Sequence, residues 1–133
     1  MNILNVDISK ELREFEGKDK LDSLFELQKT LHKMFYNTEI KKINIQTKQG
    51  QEEFKKYLYC IAEEIFEAGN VCKSRQWVKT ESEINELHVQ EEICDALGFF
   101  VILCMSLNID PKKLFVMFLK KWKVNEFRVR SNY

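Results

Sequence analysis

The sequence predicts an all-α fold, a bundle of four to five helices. Three observations carry that prediction. Apolar residues recur at three- and four-residue steps along most of the chain. A single Pro and four Gly in 133 residues leave little to break helices and argue against a turn-rich β-sandwich. The segments between the periodic stretches are short, as antiparallel helical neighbours require.

The first helix is expected over about residues 22–35, with Asp22 as its cap and Leu24, Leu27, Leu31 and Met34 as its buried stripe. Residues 36–50 carry β-branched and polar side chains without a lasting period and read as a connection. A second helix places Phe54, Leu58, Ile61, Ile65, Ala68 and Cys72 on one stripe. Thr80 followed by Glu83 forms a capping-box pattern, so a third helix is expected from there to about Leu107. Asn108 to Pro111 interrupts it. Asp110 as N-cap and Pro111 as first helical residue then open a last helix to about Arg128. Residues 1–20 are an N-terminal extension without an assigned structure, and residues 21–133 read as one domain.

A chain of this length makes one compact domain and buries enough apolar surface to fold without disulfides or structural metal. The 21 basic and 21 acidic side chains cancel, which argues against a nucleic-acid polymer or an anionic membrane as partner. Cys60, Cys72, Cys94 and Cys104 form no CxxC pair and read as reduced, buried thiols. The N-terminus lacks the pattern of a signal peptide, and the apolar run from Ile93 to Leu107 is too short to span a bilayer. A soluble, cytoplasmic protein is the expectation. The third helix is apolar all round over that run, which four helices can hardly enclose. A homodimer or higher symmetric oligomer is therefore expected, with this helix near the interface.

Two short acidic segments hold the informative chemistry. Glu64 and Glu67 lie one turn apart on a flank of the second helix's stripe. Glu92 and Asp95 lie one turn apart at the mouth of the apolar run, with Ile93, Cys94 and Ala96 to Ile102 around Asp95. A buried carboxylate costs several kcal/mol unless compensated, and Glu92 adds a second negative charge. Either a Lys or Arg pairs with Asp95, or a divalent metal does. If the two helices pack antiparallel, four carboxylates converge, and an all-oxygen set selects Mg²⁺, with Mn²⁺ possible, over Zn²⁺. The basic C-terminus offers cations for phosphate: Lys121, Asn125 and Arg128 share one face at the end of the last helix.

An ExxE, then an ExxD, then Lys-x-x-x-Asn-x-x-Arg ending near an aromatic resembles the all-α nucleoside triphosphate pyrophosphatase superfamily, which includes MazG-like proteins and the dimeric dUTPases. The Leu24-Phe25-Glu26-Leu27-Gln28 opening and the Lys121/Asn125/Arg128/Tyr133 ending look most like the compact dimeric dUTPases of bacteria and phages, over about residues 21–133. The resemblance implies that Glu64, Glu67, Glu92 and Asp95 bind Mg²⁺ and that Lys121, Asn125, Arg128 and Tyr133 serve the phosphates. It associates Gln28, Trp77 and Phe99 with base and sugar. The sequence departs from the family pattern at Gly98, where His is frequent, in the approach Lys73-Ser74-Arg75-Gln76 to Trp77, and at Asn132, which replaces a usual Gly.

The activity this implies is metal-dependent hydrolysis of a deoxynucleoside triphosphate, foremost dUTP, to monophosphate and pyrophosphate. Glu64 or Glu67 would orient or deprotonate the attacking water. The same chemistry on dCTP or a damaged nucleotide is the near alternative. A non-catalytic helical dimerisation or regulatory module is the alternative of another class.

Overall fold

The computed structural model describes residues 2–72, 77–78 and 83–131. The described residues form helices and connections with no strand, as the all-α reading expects. A 3₁₀ turn at Ile3–Asn5 and a short α1 (Ser9–Glu14) bury no residue. Four long helices follow: α2 (Lys20–Tyr36), α3 (Lys48–Val71), α4 (Glu86–Ser106) and α5 (Pro111–Arg130).

Helix α2 begins two residues earlier than expected, because Asp19 and not Asp22 is its cap: Asp19 Oδ1 accepts the Asp22 backbone N–H at 3.0 Å. Asn37, in the left-handed region with φ 53°, closes the helix by donating its N–H to Lys33 O. The buried face differs from the expected leucine stripe. Leu24, Leu27, Leu31 and Met34 are exposed, Met34 at 76%, while Leu21, Phe25, Gln28 and His32 turn inward. Both sets have helical spacing, so periodicity finds the helix without choosing its inner face.

The connection 37–47 ties the bundle together. Ile40 and Ile43 are buried, Ile43 N–H donates to Ser106 O at 2.8 Å, and Lys42 Nζ donates to Met105 O at 2.6 Å. Two carbonyls of the last turn of α4 are thereby satisfied. Thr47 caps α3 by accepting the Gly50 N–H and itself donates to Asn44 O. This turn is so tight that a Cβ on Gly50 would stand 1.8 Å from Asn44 O, so only glycine fits. On α3 the inner face runs Gly50, Phe54, Tyr57, Ile61, Glu64, Ala68 and Val71, in alternating steps of four and three. Leu58 and Ile65 of the expected stripe are exposed, and Glu64 sits on the inward face instead of its flank.

Helix α4 starts at Glu86, where Asn85 accepts the His88 N–H; residues 83–85 are not helical, so the expected start at Thr80 is too early. Thr80 itself lies outside the described residues. The α4 C-terminus is a Schellman motif: Asn108, at φ 56°, donates to Met105 O, and Ile109 donates to Cys104 O. Ile109 then packs beside Phe25, Val101 and Cys104, the centre of the core, with Leu21, Met105 and Leu114 around them. Full burial of Phe25 or Val101 contributes about 1.5–3 kcal/mol each. The expected Asp110 cap and Pro111 start of α5 are both present, with Asp110 Oδ1 accepting Lys113 N–H at 2.7 Å.

Helix α4 packs between α3 and α2, and the chain turns by 102° from α4 into α5. Residues 42–43, just before α3, touch the end of α4, whereas Glu64 and Glu67 near the end of α3 meet Glu92 near the start of α4; the two helices are antiparallel. Enclosure within the chain is densest in the second half of the apolar run, at Val101–Cys104; in the first half Ala96 is buried while Ile93, Leu97 and Phe100 stay exposed. Helix α5 buries no residue and displays Phe115, Met117, Phe118, Trp122, Phe127 and Val129. Among the described residues no single helix is long and apolar enough to cross a membrane. Of the cysteines only Cys104 is buried; Cys60 is half-buried and Cys72 and Cys94 are exposed, against the expectation of four buried thiols.

Candidate metal centre and adjoining pocket

The antiparallel packing of α3 on α4 brings three of the four acids together. Carboxylate oxygens of Glu64, Glu67 and Glu92 all lie within 4.8 Å of one another. Glu92 is 7% exposed, Glu64 half-buried and Glu67 exposed. Like charges this close resist joint ionisation, and Glu64 shows it. Its carboxyl is held above the usual carboxylate range, first by burial, then by a hydrogen bond with Glu92, then by the charges of Glu67, Asp95 and Glu92.

The buried acid is not the one expected. Asp95 is exposed and stands outside the three-carboxylate group, whereas Glu92 is enclosed. The inward line of α4 runs from Glu92 to Ala96, and Asp95 is turned about 100° away from Ala96. An apolar run of sequence could not reveal this, because its outer positions are as apolar as its inner ones. Asp95 still borders the site: it lines the same pocket as Glu64 and its charge reaches that group.

Among the described residues no Lys or Arg pairs with any of the four acids, so the salt-bridge alternative for Asp95 finds no partner. The neighbour present is His88, whose Nδ1 lies 3.3 Å from Glu92 Oε1 and 3.7 Å from Glu91 Oε2. The i+4 spacing of His88 and Glu92 places both on one face of α4. Such an all-oxygen cluster, partly buried and without a fixed cation, fits a hard divalent ion.

Beside the cluster opens a cavity of about 390 Å³ between α2 and α4. Gln28 and Phe99, both half-buried, line it together with Glu64 and Asp95. A Cβ on Gly98 would meet the Gln28 Nε2 at 3.3 Å, so the bare backbone at Gly98 lets the carboxamide lie close against α4. The sequence reading missed Leu31, His32, Phe35, Tyr36, Cys94 and Ile102, which complete the wall. The signal was the step from Gln28 to His32 and then to Phe35 and Tyr36, a second helical face beside the leucine stripe.

The remaining candidates stand apart in the single chain. Trp77 is 75% exposed and is not among the described residues lining this cavity. Lys121, Asn125 and Arg128 are exposed on α5 and do not line it either. Neighbouring basic groups Lys123 and Arg130 are engaged by Glu126 at 3.0 and 2.6 Å. Tyr133 lies outside the described residues.

One buried, one half-buried and one exposed acid, next to a cavity with aromatic walls and an amide, offer oxygen ligands for a divalent ion beside room for a flat ring. Comparison with known proteins bears on which one. A family model described as dUTPase matches residues 20–132. No curated protein and no solved structure matches the chain.

Proposed function

The chain belongs to the all-α dUTPase family, and on that premise we propose that it hydrolyses dUTP to dUMP and pyrophosphate in a Mg²⁺-dependent reaction. The observation that carries the metal dependence is the cluster of Glu64, Glu67 and Glu92, mutually repelling within 4.8 Å with no Lys or Arg among the described residues to neutralise it. These three residues, joined by Asp95 at the pocket's edge, would hold Mg²⁺, with Mn²⁺ as a substitute of similar chemistry. When bound, the ion supplies neutralising charge for the triphosphate and makes water a better nucleophile at neutral pH.

The chain's own groups do the rest. Glu64 or Glu67 orients the attacking water and takes its proton as the water oxygen bonds to the α-phosphorus. The bond from that phosphorus to the α–β bridging oxygen breaks, and pyrophosphate departs with the electron pair. Gln28, Phe99 and Trp77 are assigned to the base and sugar; Lys121, Asn125, Arg128 and Tyr133 to the phosphates.

We also propose a homodimer. The outward faces of α2 (Leu24, Leu27, Leu31), α4 (Ile93, Leu97, Phe100) and α5 (Phe115, Phe118, Phe127) leave far more apolar side chain in water than scattered exposure accounts for. A second copy that covers these faces also offers a way to bring basic residues of α5 to a pocket they do not line within one chain. Residues 1–20, with no buried side chain in helical segments, are an extension of the domain formed by 21–133.

A panel of deoxynucleoside triphosphates with Mg²⁺, read by pyrophosphate release, tests the activity. dUTP should be turned over fastest, and Asp95→Asn should abolish turnover with helical content unchanged. Equal rates on all bases, or an undiminished Asp95→Asn, would refute the assignment. Light scattering should give twice the 15.9 kDa chain mass; a monomer would remove the dimer.

A further inference from the structure

The cavity contains two polar side chains whose hydrogen-bonding capacity the fold leaves unspent. Gln28 and His32 lie one helical turn apart on α2, both half-buried and both on the cavity wall. Among the described residues neither makes a hydrogen bond or an ion pair with another side chain or the backbone. Yet both are held in place. The Gln28 carboxamide rests against the backbone at Gly98, where an added Cβ would come within 3.3 Å of it. The His32 ring packs on Tyr36, with centroids 4.8 Å apart and planes tilted by 45°.

Partly buried polar groups cost free energy unless matched, and those facing a cavity are matched by whatever fills it. A carboxamide presents a donor and an acceptor side by side, and a neutral imidazole presents one of each on opposite sides of its ring. Phe35 and Phe99 share the lining, as aromatic side chains that suit a flat heterocycle, and so do Glu64 and Asp95. A base seated beside these rings lies next to acids that can serve its phosphate chain through a cation.

We propose that His32 is a specificity-determining residue of this site, donating its ring N–H to a carbonyl oxygen of the base while Gln28 pairs with the adjoining N–H and carbonyl. This rests on the dUTPase reading and deepens it. Uracil carries a carbonyl at position 4 beside a protonated N3; cytosine carries an amino group there beside a bare N3. The His32 N–H meets an acceptor in the first and another donor in the second, which it can pair only by presenting its bare nitrogen instead.

The test uses the full chain with Mg²⁺ and the non-hydrolysable α,β-imido analogues of dUTP and dCTP, with binding measured by calorimetry and hydrolysis of the natural nucleotides followed on the same samples. His32→Phe keeps a ring against Tyr36 and removes both nitrogens. It should weaken the dUTP analogue about tenfold and change the dCTP analogue by less than about twofold. His32→Ala must lower the same ratio, and His32→Gln, which restores a donor, must recover much of it. A dUTP/dCTP ratio unchanged in His32→Phe and His32→Ala overturns the assignment, as does a wild type that binds both analogues equally or neither. If the wild type binds the dUTP analogue selectively but hydrolyses no dUTP, the catalytic reading falls while the binding ratios still decide His32. If it hydrolyses dUTP with a ratio indifferent to position 32, the inference about His32 falls alone.

Discussion

Replacing Glu92 by Gln should have opposite consequences with and without a divalent cation. The Glu92 carboxylate is enclosed, and its oxygen lies within 4.8 Å of those of Glu64 and Glu67. Two unit charges at such a separation repel by about 3.5 kcal/mol at an effective dielectric of ~20. Proton uptake by Glu64 and water around the exposed Glu67 dissipate part of this, leaving about 1–2 kcal/mol. Gln keeps the shape of the side chain and an acceptor oxygen for His88, so the metal-free variant should melt about 4–7 °C above the wild type. In Mg²⁺ the order should reverse. A ligand at a hundredfold excess over its Kd adds about 2.7 kcal/mol to the wild type, and the variant, short of one anionic oxygen donor, should gain far less. Thermal unfolding followed by circular dichroism, in EDTA and in excess MgCl₂ at neutral pH, reads both. A variant that melts lower in EDTA, or that keeps the full Mg²⁺ gain, refutes the view that Glu92 belongs to a repelling set completed by a cation.

Three further outcomes are expected. Gly50→Ala should cost about 2–3 kcal/mol in urea unfolding, because its Cβ collides with backbone at Asn44 O. Gly69→Ala, with nothing within 4 Å of its Cβ, should instead gain up to about 1 kcal/mol; equal effects would show that the turn at Asn44–Gly50 is not tight. The raised Glu64 pKa means that the folded chain binds its proton more firmly than the unfolded chain. Glu64 therefore contributes stability below the ordinary glutamate value of 4.5, lost as pH rises through the higher folded value. Taken relative to Glu64→Gln, the wild-type urea midpoint in EDTA should decline over that window and flatten in Mg²⁺; a relative rise in EDTA would contradict the sign. Burial pushes the Cys104 thiol up, so a thiol reagent should modify exposed Cys72 in the native protein and Cys104 only on unfolding.

The four long helices, the start of α5 with Asp110 as cap and Pro111 as first residue, and the acids spaced three apart were legible in the sequence, because each depends on residues within one or two turns of one another. Capping and periodicity are local physics, and the carboxylate chemistry follows from residue type. Which side of each helix faces inward was decided only by tertiary packing. Leu24, Leu27 and Leu31 have the same helical spacing as Leu21, Phe25, Gln28 and His32, and nothing within α2 ranks one face over the other. In the same way, Glu92 and Asp95 are equivalent as a sequence pair until α3 is laid antiparallel on α4, which encloses the first and leaves the second at the edge of the cavity. The rest of Gln28 on Gly98 and the place of His32 on the pocket wall likewise depend on how α2 and α4 pack. Sequence determined what each segment could do; the docking of one helix on another determined which side chains met, since burial and charge repulsion are properties of neighbours in space.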